Sequence, residues 1–322
     1  MKIITLTYPL SASELAASLQ PLSLAIGAFD GVHKGHQQVI NKAKDYAEGK
    51  GIASAVMTFD PTPKSLFGQG VQYQQAITPL SDKLKVFKEL EVDFVFVVQF
   101  DTTFTQITPE QFVDEILLPL QVKNVVVGFD FRFGAGGKGD TKTLLMLSEG
   151  RMQVHIVDGY HINGEKVSST LIRECIDAGD MTKASLLLGR PYEITATVAT
   201  GDQRGRTIGF PTANLKLTED YILPRLGVYA IIAYYQNKSY FGVLNFGMKP
   251  TFNKNEIVPV MEAHLFDFNE DIYGEQLKVQ FIQFLRPEKK FNGVGELIAQ
   301  IKIDAAEAKQ LLLNKQNQLS TN

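Results

Sequence analysis

Two histidines, His33 and His36, stand three residues apart inside Gly27-Ala28-Phe29-Asp30-Gly31-Val32-His33-Lys34-Gly35-His36-Gln37. At that spacing both imidazoles share one face of a first helical turn. The segment follows a short apolar run, Leu22 to Ile26, and opens a helical pattern, so it falls where a strand hands over to a helix. A helix start offers free backbone N–H groups and a partial positive charge, which suits a phosphate. Gly27, Gly31 and Gly35 permit the tight turn and the close backbone approach such a ligand needs, and Phe29 and Asp30 lie in the same turn. The chemistry that fits is transfer of a nucleotide. A zinc site is the competing use of two histidines, but zinc wants three or four ligands, and no third His or Cys lies nearby.

A second concentration of polar chemistry is Gly201-Asp202-Gln203-Arg204-Gly205-Arg206-Thr207-Ile208-Gly209-Phe210-Pro211-Thr212-Ala213-Asn214. Its glycines, Gly201 and Gly209 among them, alternate with cationic and amide side chains such as Arg206 that could close over phosphates. Thr212 and Asn214 are two apart, so on an extended strand their neutral oxygens face the same way. Mg²⁺ accepts that kind of ligand when it is shared with substrate phosphates. Downstream, Glu262 sits among apolar neighbours, Pro259 to Leu265. A carboxylate there is either a general base for an alcohol nucleophile or half of an ion pair with Arg286.

Smaller clusters follow strand ends in the first half. Asp60-Pro61-Thr62-Pro63-Lys64 is a stiffened loop that could reach a polar ligand, or simply a turn. Gly128-Phe129-Asp130-Phe131-Arg132-Phe133-Gly134 offers aromatics for a flat ring with Asp130 and Arg132 at the rim, or ordinary core aromatics. Gly134 to Gly139 satisfies G-x-G-x-x-G, but it lacks the acidic residue that should end the next strand; it reads as a loop and a candidate lid. Ser168-Ser169-Thr170-Leu171-Ile172-Arg173 begins a helix, and its hydroxyls plus Arg173 one turn on make a phosphate clamp as well as a capping signal.

The elements that must position these residues change in kind along the chain. Strand patterns at 22–26, 52–59, 94–99, 125–127 and 154–157 alternate with helical ones at 37–48, 81–90, 109–118 and 141–148, with caps expected at Ser81 and Thr108. Continuous apolar strands between helices predict a parallel sheet covered on both faces, and ligands bind such sheets at the carboxyl ends of the strands. After Leu188-Gly189-Arg190-Pro191 the pattern becomes strands and turns, at 193–199, 227–235, 239–244, 262–265 and 276–285. That pattern predicts a small antiparallel β-barrel, although pattern alone leaves a sandwich open. Leu297, Ile301, Ala305, Ala308 and Leu312 form a stripe at helical spacing, expected to pack a C-terminal helix on the barrel. The class is α/β + β, in two domains, 1–186 and 187–322.

Bulk properties narrow the function classes. The 322 residues exceed what one core usually serves. A net charge of −3 gives no electrostatic footprint for nucleic acid. No apolar run reaches transmembrane length, and Met1 to Thr5 lacks a signal-peptide core, so no membrane partner and a cytoplasmic location are expected. The single cysteine, Cys175, excludes an internal disulfide and reads as a buried packing residue on a helix. Nothing in the sequence fixes the oligomeric state.

In the order and spacing of these motifs the chain resembles the prokaryotic bifunctional riboflavin kinase/FMN adenylyltransferase (FAD synthetase) family. The resemblance runs from Leu24 to about Leu312. It rests on Gly27–Gln37, Gly128–Gly134, Ser168–Arg173, Leu188–Tyr192, Gly209–Asn214, Gly227-Val-Tyr229, Asn245–Thr251, Tyr273-Gly274 and Leu285–Phe291. It implies a Rossmann-like nucleotidyltransferase domain followed by a riboflavin kinase-like barrel. The barrel would phosphorylate riboflavin with ATP to give FMN. Thr212 and Asn214 would hold Mg²⁺ and phosphates, with Gly201, Arg206 and Gly209 at the nucleotide and Glu262 as general base. The first domain would adenylylate FMN with a second ATP to give FAD. There His33 and His36 would stabilise the reacting phosphorus, Gly27, Phe29, Asp30 and Gly35 would form the ATP turn, and Ser169, Thr170 and Arg173 would hold outgoing phosphates. Asp130, Phe131, Arg132 and Thr62 are the flavin-side candidates. The family commonly has Pro-His-Pro where this chain has Pro61-Thr62-Pro63, so a hydroxyl replaces an imidazole there.

Overall fold

The structure, a computed structural model, describes residues 1–16, 20–67, 74–200, 209–250 and 257–320. Gly201 and Arg206, expected at a nucleotide, lie outside the described residues. The chain forms two compact units, Met1–Ser169 and Thr170–Asn322. This division lies ahead of 186/187, where the sequence pattern changes.

In the first unit the strands are β1 (Lys2–Leu6), β2 (Leu22–Ile26), β3 (Ala53–Asp60), β4 (Phe94–Gln99), β5 (Val122–Gly128) and β6 (Gln153–Val157). They form one parallel sheet in the order β1-β4-β3-β2-β5-β6. The helices are α1 (Ala12–Ala16), α2 (Lys34–Lys50), α3 (Pro63–Phe67), α4 (Leu80–Glu89), α5 (Pro109–Gln111) running into a π-helical turn Phe112–Leu117, and α6 (Thr141–Ser148). Val39, Ile40 and Ala43 of α2 and Val86 and Phe87 of α4 pack on one face of the sheet. Phe112, Val113, Ile116 and Leu117, with Leu144 of α6, pack on the other. With both faces covered, every residue of β2 is buried, which explains its unbroken apolar run. From β2 the chain steps to β3 and β4 on one side, then returns to place β5 on the other. The carboxyl ends of β2 and β5 therefore flank the crevice where the strand order reverses.

Local differences from the sequence reading have local causes. The helix expected from Gln37 begins at Lys34, because His33 supplies the cap, and it closes on Gly51 in the left-handed conformation. Ser81 does not cap α4; it lies within the first turn, and Pro79 occupies the cap with no side-chain bond. Thr108 does cap α5, in a reciprocal box with Gln111. The edge strand β1 carries only two buried residues, so its identity comes from pairing with β4 and not from its own pattern.

The second unit opens with α7 (Ser169–Ala178) and α8 (Met181–Leu188). Cys175 is buried on α7. Six antiparallel strands follow: β9 (Tyr192–Ala199), β10 (Ala213–Leu217), β11 (Gly227–Tyr235), β12 (Lys238–Pro250), β13 (Ile257–Leu265) and β14 (Gln276–Arg286). These close in the order β10-β13-β12-β11-β14-β9 if the small hairpin β7–β8 (His161–Ile162 and Glu165–Lys166) of the first unit is counted before them. Closure settles barrel over sandwich and leaves no free edge. Alternate residues of β9 are buried. The last helix, α9 (Val294–Ser320), lies on the barrel through Ala308 and Leu312 against Val228, Ala230, Val243 and Ile282. The stripe also holds a charge: Asp304 is 4% exposed and accepts from Arg286 Nε, shared between both carboxylate oxygens at 2.9 and 3.1 Å, and from Nη2 at 2.7 Å. Among the described residues no helix is long and apolar enough to cross a membrane.

Candidate active sites

At the carboxyl end of β2 the backbone bends sharply. Phe29, Gly31 and Val32 all have positive φ, at 49, 86 and 40°. For a β-branched valine this is a disfavoured conformation costing about 1–3 kcal/mol, and it persists only where its surroundings impose it. The surroundings do so at four points. The Ala28 carbonyl accepts from Lys83 Nζ at 2.8 Å and from Thr58 Oγ1 at 3.1 Å. Asp30 Oδ1 accepts from the amides of Ile77 and Thr78 at 2.9 and 3.4 Å. The Asp30 carbonyl accepts from Ser169 Oγ at 2.9 Å, and the Val32 carbonyl from Gln37 Nε2 at 2.8 Å. Asp30 and Ser169 thus build the turn itself.

The bend delivers His33 to the cap of α2, where its Nδ1 accepts from the His36 amide at 3.2 Å. An accepting Nδ1 leaves Nε2 as the N–H of the neutral ring. The two imidazoles stack with centroids 3.6 Å apart. Phe29, 2% exposed, meets the His36 ring edge-on at 5.3 Å and Phe87 at 5.9 Å, so it props the pair from beneath. Gly35 leaves room for the ring: a Cβ there would lie 3.2 Å from His33 Cε1 and 3.3 Å from its Nδ1, so the imidazole would have to give by a few tenths of an ångström. Both imidazoles and the free amides of the helix start therefore lie within one turn.

The end of β5 divides its aromatics differently from the sequence reading. Phe131, half-buried, stacks on Phe133 at 5.5 Å and packs against the core. The exposed aromatic is Phe129, 42% exposed, with Lys166 Nζ 4.2 Å above its ring. Asp130 faces the same lysine at 3.6 Å, and Arg132 is exposed. The Gly134–Gly139 loop is closed by paired backbone bonds between Phe133 and Gly139, and Asp140 after it caps α6, which rules out a dinucleotide fingerprint there. Thr62 is occupied locally: its Oγ1 accepts from the Ser65 amide at 3.3 Å at the start of α3.

In the second unit the barrel sets Asn214 on β10 and Asn245 on β12 directly opposite Glu262 on β13. Paired residues share a face, so a carboxylate lies between two carboxamides. Arg286 is committed to Asp304, which removes it as the ion-pair partner of Glu262. Thr212 precedes β10 and, with Val198, Ala263 and Tyr273, lines a cavity of about 490 Å³, which is large enough for a nucleotide-sized ligand. Gly209 stands at φ 83° just ahead of it. Sequence reasoning missed Glu288, whose carboxylate occupies the space a side chain at Gly247 would fill, close to Asn245. Thr170 is exposed and Arg173 half-buried on α7. Among the described residues no cluster of three His, Cys, Asp or Glu could hold a metal. The hydroxyl and amide oxygens of Thr212 and Asn214 fit Mg²⁺ only as part of a shell completed by substrate phosphates.

Comparison with known proteins covers both units. A family described as FAD synthetase matches residues 15–171, and one described as riboflavin kinase matches 188–312. A bifunctional riboflavin kinase/FMN adenylyltransferase of Bacillus subtilis is 43% identical over 96% of this chain and 97% of its own length. The protein of the same name from Haemophilus influenzae is 37% identical over 90% and 94%. A crystal structure from Streptococcus pneumoniae, described as a macrolide-efflux protein, has a TM-score of 0.82 at 31% identity, covering 94% of this chain and 97% of that one. The chain belongs to the bifunctional riboflavin kinase/FMN adenylyltransferase family.

Proposed function

We infer that this chain makes FMN from riboflavin and FAD from FMN, consuming one ATP in each step. The observation that carries the reading is that both catalytic families match one chain, end to end and in order. Riboflavin, FMN and ATP are its substrates. We assign FMN adenylylation to residues 1–186 and riboflavin phosphorylation to 187–322.

In the kinase step the riboflavin 5′-hydroxyl attacks the γ-phosphorus, its proton passes to Glu262, and ADP departs. Asn214 and Asn245, opposite Glu262 on the flanking strands, set two carboxamides on the face that carries the carboxylate. Thr212, Asn214 and the substrate phosphates would hold Mg²⁺, which would neutralise the phosphate charge. In the adenylyl step an FMN phosphate oxygen attacks the α-phosphorus of ATP and pyrophosphate leaves. The His33 and His36 N–H groups stabilise charge on the five-coordinate phosphorus, and the α2 amides add to them. Gly27, Asp30, Gly35 and Ser169 shape that turn, while Thr170 and Arg173 are assigned to the departing pyrophosphate. The exposed ring of Phe129, with Asp130 facing the lysine above it, supports an isoalloxazine contact, and Phe131 and Arg132 are assigned to the same flavin side. Both steps are positioning plus electrostatics.

Chromatographic product analysis tests the reading. Pure protein with MgATP and riboflavin should yield FMN, and with MgATP and FMN should yield FAD and pyrophosphate. FMN alone, with no FAD in the second incubation, would contradict it.

A further inference from the structure

We propose that Lys83 is a positioning residue for adenylyl transfer, its ammonium holding the Ala28 carbonyl and with it the strained turn that presents His33 and His36. The inference rests on the assignment of FMN adenylylation to that turn.

Lys83 belongs to the buried face of α4. With Val86 and Phe87 it occupies positions i, i+3 and i+4 facing the sheet, and it is 3% exposed. An ammonium at such a position is costly to desolvate, and burial pushes its pKa down against the opposing charges of Asp30 and Asp60. A leucine or methionine would fill the same space without that cost. The ammonium donates to the Ala28 carbonyl at 2.8 Å, which an apolar side chain could not do. That oxygen lies immediately before Phe29, the first of the residues held at positive φ. Thr58 Oγ1 donates to the same oxygen, so two side chains from α4 and β3 converge on one carbonyl. Phe29 in turn meets the His36 ring, which links Lys83 to the imidazoles through one residue. Losing the ammonium lets the Ala28–Val32 backbone relax toward ordinary φ and carries the imidazoles off the reacting phosphorus. A shift near 1 Å costs on the order of 100-fold in rate, while the helix-start amides still bind ATP.

The test compares Lys83→Met, Thr58→Val and the double variant, measuring kcat and KM for FMN adenylylation, thermal melting, and riboflavin phosphorylation by the same preparations as an internal control for folding. Lys83→Met should lower kcat for FAD formation at least about tenfold, with KM for ATP within about threefold and with melting and FMN formation unchanged. Thr58→Val should lower kcat less, and the double variant should lose less than the product of the two, because both act through one oxygen. Wild-type kcat in Lys83→Met overturns the inference, as does parallel loss of kcat, melting temperature and kinase activity, or a strictly multiplicative double variant. If Lys83→Met does not fold, Thr58→Val decides: unchanged kcat there overturns it. His36→Ala separates the two levels. Full FAD formation in His36→Ala removes the assignment of the histidine turn, whereas its loss beside a wild-type Lys83→Met removes only the role of Lys83.

Discussion

Gly35→Ala should separate stability from catalysis in the first unit. Gly35 lies in the first turn of α2, where alanine is favoured over glycine by about 0.5–1 kcal/mol. The added Cβ meets His33 Cε1 at 3.2 Å and Nδ1 at 3.3 Å, and Tyr160 Cβ at 3.5 Å. The imidazole must give by a few tenths of an ångström, which strains its 3.2 Å cap bond to the His36 amide. Losing a cap entirely costs about 1 kcal/mol, so propensity gain and cap loss nearly cancel and melting should move by no more than a few degrees. Catalysis has no such compensation. Scaled from the roughly 100-fold cost of a 1 Å misplacement, the tilt should slow FAD formation about tenfold. Initial rates of FAD formation from FMN and MgATP, followed by chromatography, would be set beside thermal melting and FMN formation from riboflavin. Wild-type FAD formation with unchanged melting would refute the claim that the His33 ring is poised by its cap. A large drop in melting would refute the offsetting of terms.

Three further outcomes follow from contacts away from the reacting groups. Asp304→Ala leaves Arg286 beside α9 with no carboxylate, and should destabilise the barrel unit by about 2–4 kcal/mol in urea melts, less than a fully buried pair because Arg286 is partly exposed; replacing both residues by leucine should recover much of the loss. Gly247→Ala displaces the Glu288 carboxylate from beside Asn245, and should slow FMN formation while leaving FAD formation from supplied FMN unchanged. Asp140 is held below the ordinary aspartate range by bonds from the Thr143 amide and hydroxyl. A depressed carboxylate contributes stability above its unfolded pKa and loses it as pH falls through the folded one, so the advantage over Asp140→Ala should be full at pH 7 and vanish at strongly acidic pH in urea melts.

What the sequence revealed depended on how local the physics was. His33, His36 and the glycines between them declare themselves because a strand–helix turn is built from adjacent residues, and β2, β4 and α6 kept their expected bounds for the same reason. Asn214 and Glu262 were each visible as candidates, but only barrel closure sets them opposite one another, with Asn245 on the far side. Lys83 reads as one more charge on an amphipathic helix, and nothing in its neighbourhood along the chain shows that it points inward at Ala28. Phe129 and Phe131 have the same type and flank the same aspartate; which of them faces solvent is decided by where β5 ends and by the core against Phe133. The Arg286–Glu262 pairing failed because Asp304, 18 residues after Arg286, comes back on α9 to take the guanidinium.

The central claim is that two separate sites on one chain perform the two reactions, and reciprocal variants test it most directly. Rates of FMN formation from riboflavin and of FAD formation from supplied FMN would be measured in Glu262→Gln and His36→Ala. Glu262→Gln should abolish the first and spare the second, and His36→Ala should do the reverse. Equal loss of both activities in either variant would contradict the division of labour.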